Sequence, residues 1–261
     1  MKNLEQAPDL NQDLAEVGEK EYERMDDETA MEIINDKVDL PNIISKYRVM
    51  DSAYEKAHRI EEMIGDMARL TVELKDRLAD YDVIISDDAS GRLASLFLRR
   101  LVNQERSKQE KDNAETYFIA SGLHDYKDVY EGIKEFLAEK SEGDKKVLLV
   151  TEYISSGKSI SKIVKILEEL EIDFDLSSVS ASDEFNHSNE EFTSAAKEHL
   201  IYGGEGDSGL YFFTHPGSGI KKSSSESGIH PEKDKGIEQK DINTARENIK
   251  FLDKELSPLL D

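Results

Sequence analysis

The residues best placed to do chemistry lie at 147–159 and read Val-Leu-Leu-Val-Thr-Glu-Tyr-Ile-Ser-Ser-Gly-Lys-Ser. Four apolar β-formers are followed by Glu152, by the small-residue run Ser155, Ser156, Gly157, Lys158 and Ser159, and then by an amphipathic helix. A strand that delivers backbone N–H groups and hydroxyls to a helix N-terminus makes a phosphate site. The hydroxyls of Ser155, Ser156 and Ser159 can donate to phosphate oxygens. Gly157 lets the backbone approach closely and tolerates a left-handed turn. Glu152, read as the strand end, can accept hydrogen bonds from sugar hydroxyls. Together these types point to a phosphorylated sugar, held by phosphate and ring.

Such a loop works only if a framework holds it, and the chain alternates strands and helices on either side of it. The sequence predicts strands at 83–86, 116–120, 147–150 and 174–180, with helices at 92–102, 125–140 and 159–170 between them. That alternation implies an α/β fold with a parallel sheet and helices on both faces. Ligands of such sheets bind at the carboxyl ends of strands near a topological switch point. Upstream, residues 44–79 place Tyr47, Met50, Tyr54, Ala57, Ile60, Ile64, Met67, Thr71, Leu74 and Leu78 at helical spacing. This predicts one long helix, either covering the domain or pairing with a second copy as a coiled coil. Residues 242–256 form a closing helix with Ile242, Ala245, Ile249, Leu252 and Leu256 on one face.

The expected organisation is therefore an acidic, partly disordered lead at 1–40, with a short helix around 28–36. A helical cap at 41–80 follows, then an α/β core at 81–215, a flexible Gly/Ser/Lys-rich stretch at 216–240 and a C-terminal helix at 241–261. Short strands are expected at 199–202 and 209–213. Formal net charge is -23 over 261 residues, with 35% charged and 37% hydrophobic residues. A general nucleic-acid binder needs a basic surface, so that class is excluded. No apolar run reaches the length of a membrane span. The absence of cysteine excludes a disulfide framework, a zinc–thiolate site and a thiol nucleophile. The first residues, Met-Lys-Asn-Leu-Glu-Gln, show no apolar signal region, and a cytoplasmic location is expected.

The 147–159 segment resembles the phosphoribosyl pyrophosphate signature of type I phosphoribosyltransferases. There, four apolar, two acidic and two variable residues precede a Thr/Ser-Gly-x-Thr/Ser loop. The resemblance implies a mainly parallel sheet of the phosphoribosyltransferase type. It implies that residues 155–159 grip the 5′-phosphate and that Glu152, at the second acidic position, holds ribose hydroxyls and serves catalysis. Thr151 stands at the first acidic position. A second strand-turn-helix, 82–92, lies upstream as the family's pyrophosphate loop does. It is also similar to a loop of phosphoribosyl pyrophosphate synthetases. By this resemblance the backbone of Ala89, Ser90 and Gly91 holds pyrophosphate and Arg92 adds a bidentate contact. Asp87 and Asp88 then coordinate Mg²⁺, directly or through water, or alternatively cap the following helix. The family's mobile basic loop falls at 103–113, with Arg106, Lys108 and Lys111, and its hood at 44–79 and 200–235. His215, in a glycine-bearing loop, is a candidate base contact or a plain turn residue.

The activity implied is transfer of a 5-phosphoribosyl group from its pyrophosphate donor, with Mg²⁺, to a nitrogen acceptor. A homodimer is the alternative use of the long helix. Two rival readings use the same residues. In one, the fold binds phosphoribosyl compounds or nucleotides as a regulatory module without turnover, which Thr151 favours. In the other, Gly157-Lys158-Ser159 ends a P-loop in which Glu152 replaces the first glycine.

Overall fold

A strand buried on both faces needs an uninterrupted apolar run, and residues 83–85 and 147–150 provide one each. In the computed structural model, which describes residues 24–48, 58–121, 124–139, 145–182, 197, 199–208, 220–221, 232–233 and 235–261, these runs form the middle of a sheet. The strands are β1 (Tyr81–Asp87), β2 (Glu115–Ile119), β3 (Lys146–Ile154), β4 (Phe174–Ala181) and β5 (Leu200–Glu205). They lie in the order β2-β1-β3-β4-β5, and every pair is parallel. The fold is thus α/β with an all-parallel sheet. Chain order reverses between β1 and β3, which makes their carboxyl ends the switch point.

Side-chain alternation sorts the core into two layers. Ile84, Leu148, Val150, Val179 and Ile201 meet α3 (His58–Leu74), α4 (Asp88–Lys108) and α7 (Gln239–Leu256). Val83, Ile85, Val147, Leu149 and Leu176 meet α5 (Tyr126–Glu139) and α6 (Lys158–Glu169) on the other face. On α7 the five apolar positions read from the sequence are all buried. Each such aliphatic side chain contributes about 1.5–3 kcal/mol when fully buried.

The single helix expected over 44–79 is broken. α2 (Leu40–Lys46) stops at Tyr47, whose backbone is extended, and α3 begins at His58. Met50, Tyr54 and Ala57 lie outside the described residues. Ile60, Ile64, Met67, Thr71 and Leu74 are buried on α3, which packs against β4 and β5. That stripe therefore covers the sheet and is not a free coiled-coil seam. α3 comes very close to β5, because a Cβ at Gly203 would overlap the Asp66 backbone and one at Gly204 its carboxylate.

Within the acidic lead, α1 (Asp27–Lys37) is ordered for stated reasons. Asp26 caps it by accepting from the Thr29 amide at 2.9 Å, and Ala30 and Ile34 are buried. Arg69 of α3 donates to Asp27, to the Met25 carbonyl and to Glu73. β6 (Ile220–Lys221) and β7 (Glu232–Lys233) pair antiparallel inside the stretch expected to be flexible. The strand expected at 209–213 and His215 lie outside the described residues. Among the described residues, no helix is long and apolar enough to cross a membrane.

Candidate functional site

The crevice at the switch point is stepped. Ser86 pairs with Val150, and β1 ends one residue later at Asp87, while β3 continues through Thr151, Glu152 and Tyr153 to Ile154. At about 3.3 Å per residue, the two turns are offset by about 10 Å along the strands. β4 supports the longer strand, since Tyr153 and Ile154 pair with Ser180 and Ala181. Both chemistry-bearing segments lie at this one edge of the sheet, as the sequence predicts.

At the β3 end the turn is short. Ser155 and Ser156 are exposed and Gly157 is buried. Gly157 is left-handed, with φ 69°, and stands at the N-cap of α6 without a side-chain cap. Its carbonyl accepts the first helical bond from the Ser161 amide at 2.8 Å. The amides of Ser159 and Ile160 therefore precede the hydrogen-bonded part of the helix, as anion binding requires. No acidic residue lies in this first turn, and the Lys158 side chain is exposed beside it.

At the β1 end there is no open loop. α4 starts immediately at Asp88, so Ala89, Ser90, Gly91 and Arg92 form its first helical turn and a wrapped pyrophosphate loop is not available there. The glycine has a packing reason. An added Cβ at Gly91 would lie 3.1 Å from the Val150 carbonyl, 3.2 Å from Ser86 Oγ and 3.4 Å from Thr151 Cα. Gly91 thus lets the start of α4 sit directly on β1 and β3. Ser86 Oγ, fully buried there, has no hydrogen-bond partner among the described residues, which costs free energy when nothing else pairs with it.

Asp87 is buried, and its Oδ1 accepts from Ser121 Oγ at 2.8 Å. It occupies the N-cap position of α4 without capping through its side chain. Arg92 places its guanidinium 3.7 Å from the Phe118 ring centre, over the edge strand β2 and on the far side of β1 from β3. Glu152 is not at the strand end. It lies inside β3 with 2% exposure, on the face shared by Leu148 and Val150, whereas Thr151 faces the α5/α6 side. Among the described residues, no group of three or more His, Cys, Asp or Glu could hold a metal ion.

The basic interval at 103–113 does not reach this edge. α4 runs antiparallel to the strands and continues to Lys108, carrying these residues back to the amino ends of the sheet. Arg106 is buried there, donating to the Tyr81 carbonyl at 2.9 Å and to Asp82 at 3.0 Å. Lys111 donates to the Ala79 carbonyl at 3.0 Å, and Lys108 pairs with Glu105 and Asp261.

Several residues outside the motifs shape the site. Lys162 on α6 donates to the Ser121 carbonyl at 2.6 Å and to the His124 carbonyl, fixing the segment after β2. Ser121 then holds Asp87. A small residue just past a strand's carboxyl end was the available signal for Ser121, but nothing in the sequence marks Lys162. At the opposite end of the sheet, buried Asp175 accepts from the Tyr81 hydroxyl at 2.7 Å and pairs with Lys146 at 3.2 Å. Burial alone would raise the Asp175 carboxyl, but His199, Tyr81 and Lys146 outweigh it and hold it at about 2. On α3, burial pushes Asp66 up to about 6 despite a hydrogen bond from Ser208.

No family model matches the chain, and no curated protein sequence matches it. Among solved structures it is similar to a purine phosphoribosyltransferase from Pyrococcus horikoshii Ot3. Identity is 12%, the match covers 57% of this chain and 84% of that one, and the TM-score is 0.32. A likeness that distant carries no argument about activity, which rests on the site itself.

Proposed function

We propose that this protein binds 5-phosphoribosyl pyrophosphate with Mg²⁺ in the β1/β3 crevice and transfers the phosphoribosyl group to a nitrogen acceptor. One observation carries the reading. A left-handed, uncapped Gly157 opens α6 toward the same crevice that receives the start of α4 about 10 Å lower on the neighbouring strand. That step suits a sugar carrying phosphate at both ends. The 5′-phosphate would take the Ser159 and Ile160 amides and the hydroxyls of Ser155 and Ser156. The pyrophosphate would take the free first-turn amides of α4, those of Asp88, Ala89 and Ser90.

Mg²⁺ fits as a companion of the donor. It is usually held by one or two carboxylates together with substrate phosphates and water, and Asp87 stands at the end of β1 beside Asp88. The ion would neutralise charge on the departing pyrophosphate. Arg92 would have to leave Phe118 to contribute, so the α4 amides carry most of that role.

A second reading is favoured by specific residues. Thr151 lacks the acid that would support a cationic ribosyl centre, and Glu152 is buried within β3. Both suit a binding module without turnover. The P-loop reading loses ground, because β3 runs to Ile154 and leaves only Ser155, Ser156 and Gly157 between strand and helix. Release of pyrophosphate from the donor in the presence of purine and pyrimidine bases separates the first two readings. Base-dependent release supports the transferase. Saturable binding without release supports the module.

A further inference from the structure

Nearly every arginine among the described residues faces a carboxylate, as an acid excess of 23 charges makes easy. Arg92 stacks on an aromatic ring, and Arg246 is exposed. Arg99 is the remaining case: it is half-buried, and no carboxylate pairs with it among the described residues. It lies on the outer side of α4 and lines a groove of about 690 Å³ bounded by α4, by the turn leading into β2 and by α7.

The lining is rich in hydrogen-bond donors. Arg100 gives its Nε to Asp253 at 2.6 Å, which leaves its two terminal nitrogens. Asn103 accepts from the Ala114 amide through Oδ1 at 2.8 Å, which leaves its amide N–H groups. Gln104 and Asn113 add further amides. Two guanidinium groups stand against one carboxylate, Asp253. A half-buried guanidinium of this kind matches phosphate oxygens bidentately. The free oxygen of Asp253 can accept from a hydroxyl or amino group on the same ligand.

We infer that this groove binds a small phosphate ester bearing hydroxyl or amino groups, with phosphate on Arg99 and Arg100 and a donor group on Asp253. The site is separate from the crevice. Arg99 lies two helical turns along α4 from Gly91, about 12 Å at 1.5 Å per residue. The inference therefore stands whether or not the crevice binds a phosphoribosyl compound.

The test is calorimetry and amide-shift mapping on the full chain, using AMP as probe with adenosine and inorganic phosphate as comparisons. AMP should bind saturably, with shifts centred on 99–107 and 113–114. Adenosine should bind at least about tenfold more weakly, because it lacks the charge-assisted contacts. Inorganic phosphate should shift the same amides at higher concentration. Arg99→Ala should weaken AMP by about tenfold or more, and Arg99→Lys by less, since charge stays and bidentate geometry goes. Lys134→Ala, which removes an exposed cation from α5 on the other face of the sheet, should leave the shifts at 99–107 and 113–114 unchanged. The inference is overturned if AMP does not bind, if adenosine binds equally well, if Arg99→Ala binds like wild type, or if the shifts are confined to 155–160.

Discussion

Replacing Gly91 with alanine should destabilise the protein, although alanine is the better helix former. In an open helix the exchange gains about 1 kcal/mol. At Gly91 the new methyl would meet the Val150 carbonyl at 3.1 Å and Ser86 Oγ at 3.2 Å. The carbonyl belongs to the central pairing of β3 with β1 and cannot withdraw. Overpacking of this kind costs about 1–3 kcal/mol, so the net loss should be about 1 kcal/mol. Gly65 is the internal control, since it is helical and a Cβ there meets nothing within 4 Å. Gly65→Ala should gain about 1 kcal/mol. The two variants should differ by about 2 kcal/mol in urea unfolding, or about 4–8 °C in melting temperature. If Gly91→Ala is as stabilising as Gly65→Ala, the start of α4 does not rest on β1 and β3, and the crevice geometry proposed for the donor fails.

Other outcomes follow from the polar contacts. Asp66 is raised to about 6 in the fold against 3.8 as the ordinary value. Its contribution is therefore complete below about pH 4 and is lost as pH rises through 6, amounting to about 3 kcal/mol; Asp66→Asn should flatten that part of the stability profile measured by urea titration. Asp175, held at about 2, acts with the opposite sign, because its contribution is present above pH 4 and is lost as pH falls through 2. Arg106→Ala should cost about 2–3 kcal/mol, chiefly by leaving the Tyr81 and Asp112 carbonyls without their donor and removing the Asp82 ion pair. Sugar-phosphate affinity per folded molecule should not change, which unfolding and binding curves on the same sample would check.

The strands and most helices were legible because apolar periodicity is written locally. Five of the expected strands, at 83–86, 116–120, 147–150, 174–180 and 199–202, the 125–140 and 159–170 helices and the apolar face of α7 correspond to observed elements. Boundaries at the site were not legible. Asp88 begins α4 at once, where the sequence reads as a loop, because Ala89 and Ser90 suit a helical turn as readily as a phosphate loop. Glu152 reads as a strand end because polar residues usually mark one. Only tertiary pairing of Tyr153 and Ile154 with β4 carries the strand past it. The interval at 103–113 reads as a charged loop because Arg106, Lys108 and Lys111 look solvated. Their true partners, Asp82, Asp261 and the Ala79 carbonyl, are distant in sequence. Long-range partners of this kind, Lys162 with Ser121 among them, have no local signature.

The crevice assignment is tested most directly by titrating the purified full chain with 5-phosphoribosyl pyrophosphate and with ribose 5-phosphate, each with and without Mg²⁺. Both should bind saturably, the pyrophosphate donor more tightly and only it with a Mg²⁺-dependent gain. Ser156→Asp and Gly157→Val should weaken both ligands by about tenfold or more, the first by repelling the 5′-phosphate and the second by filling its place. Absence of binding of either sugar phosphate to the folded wild type would contradict the proposed function.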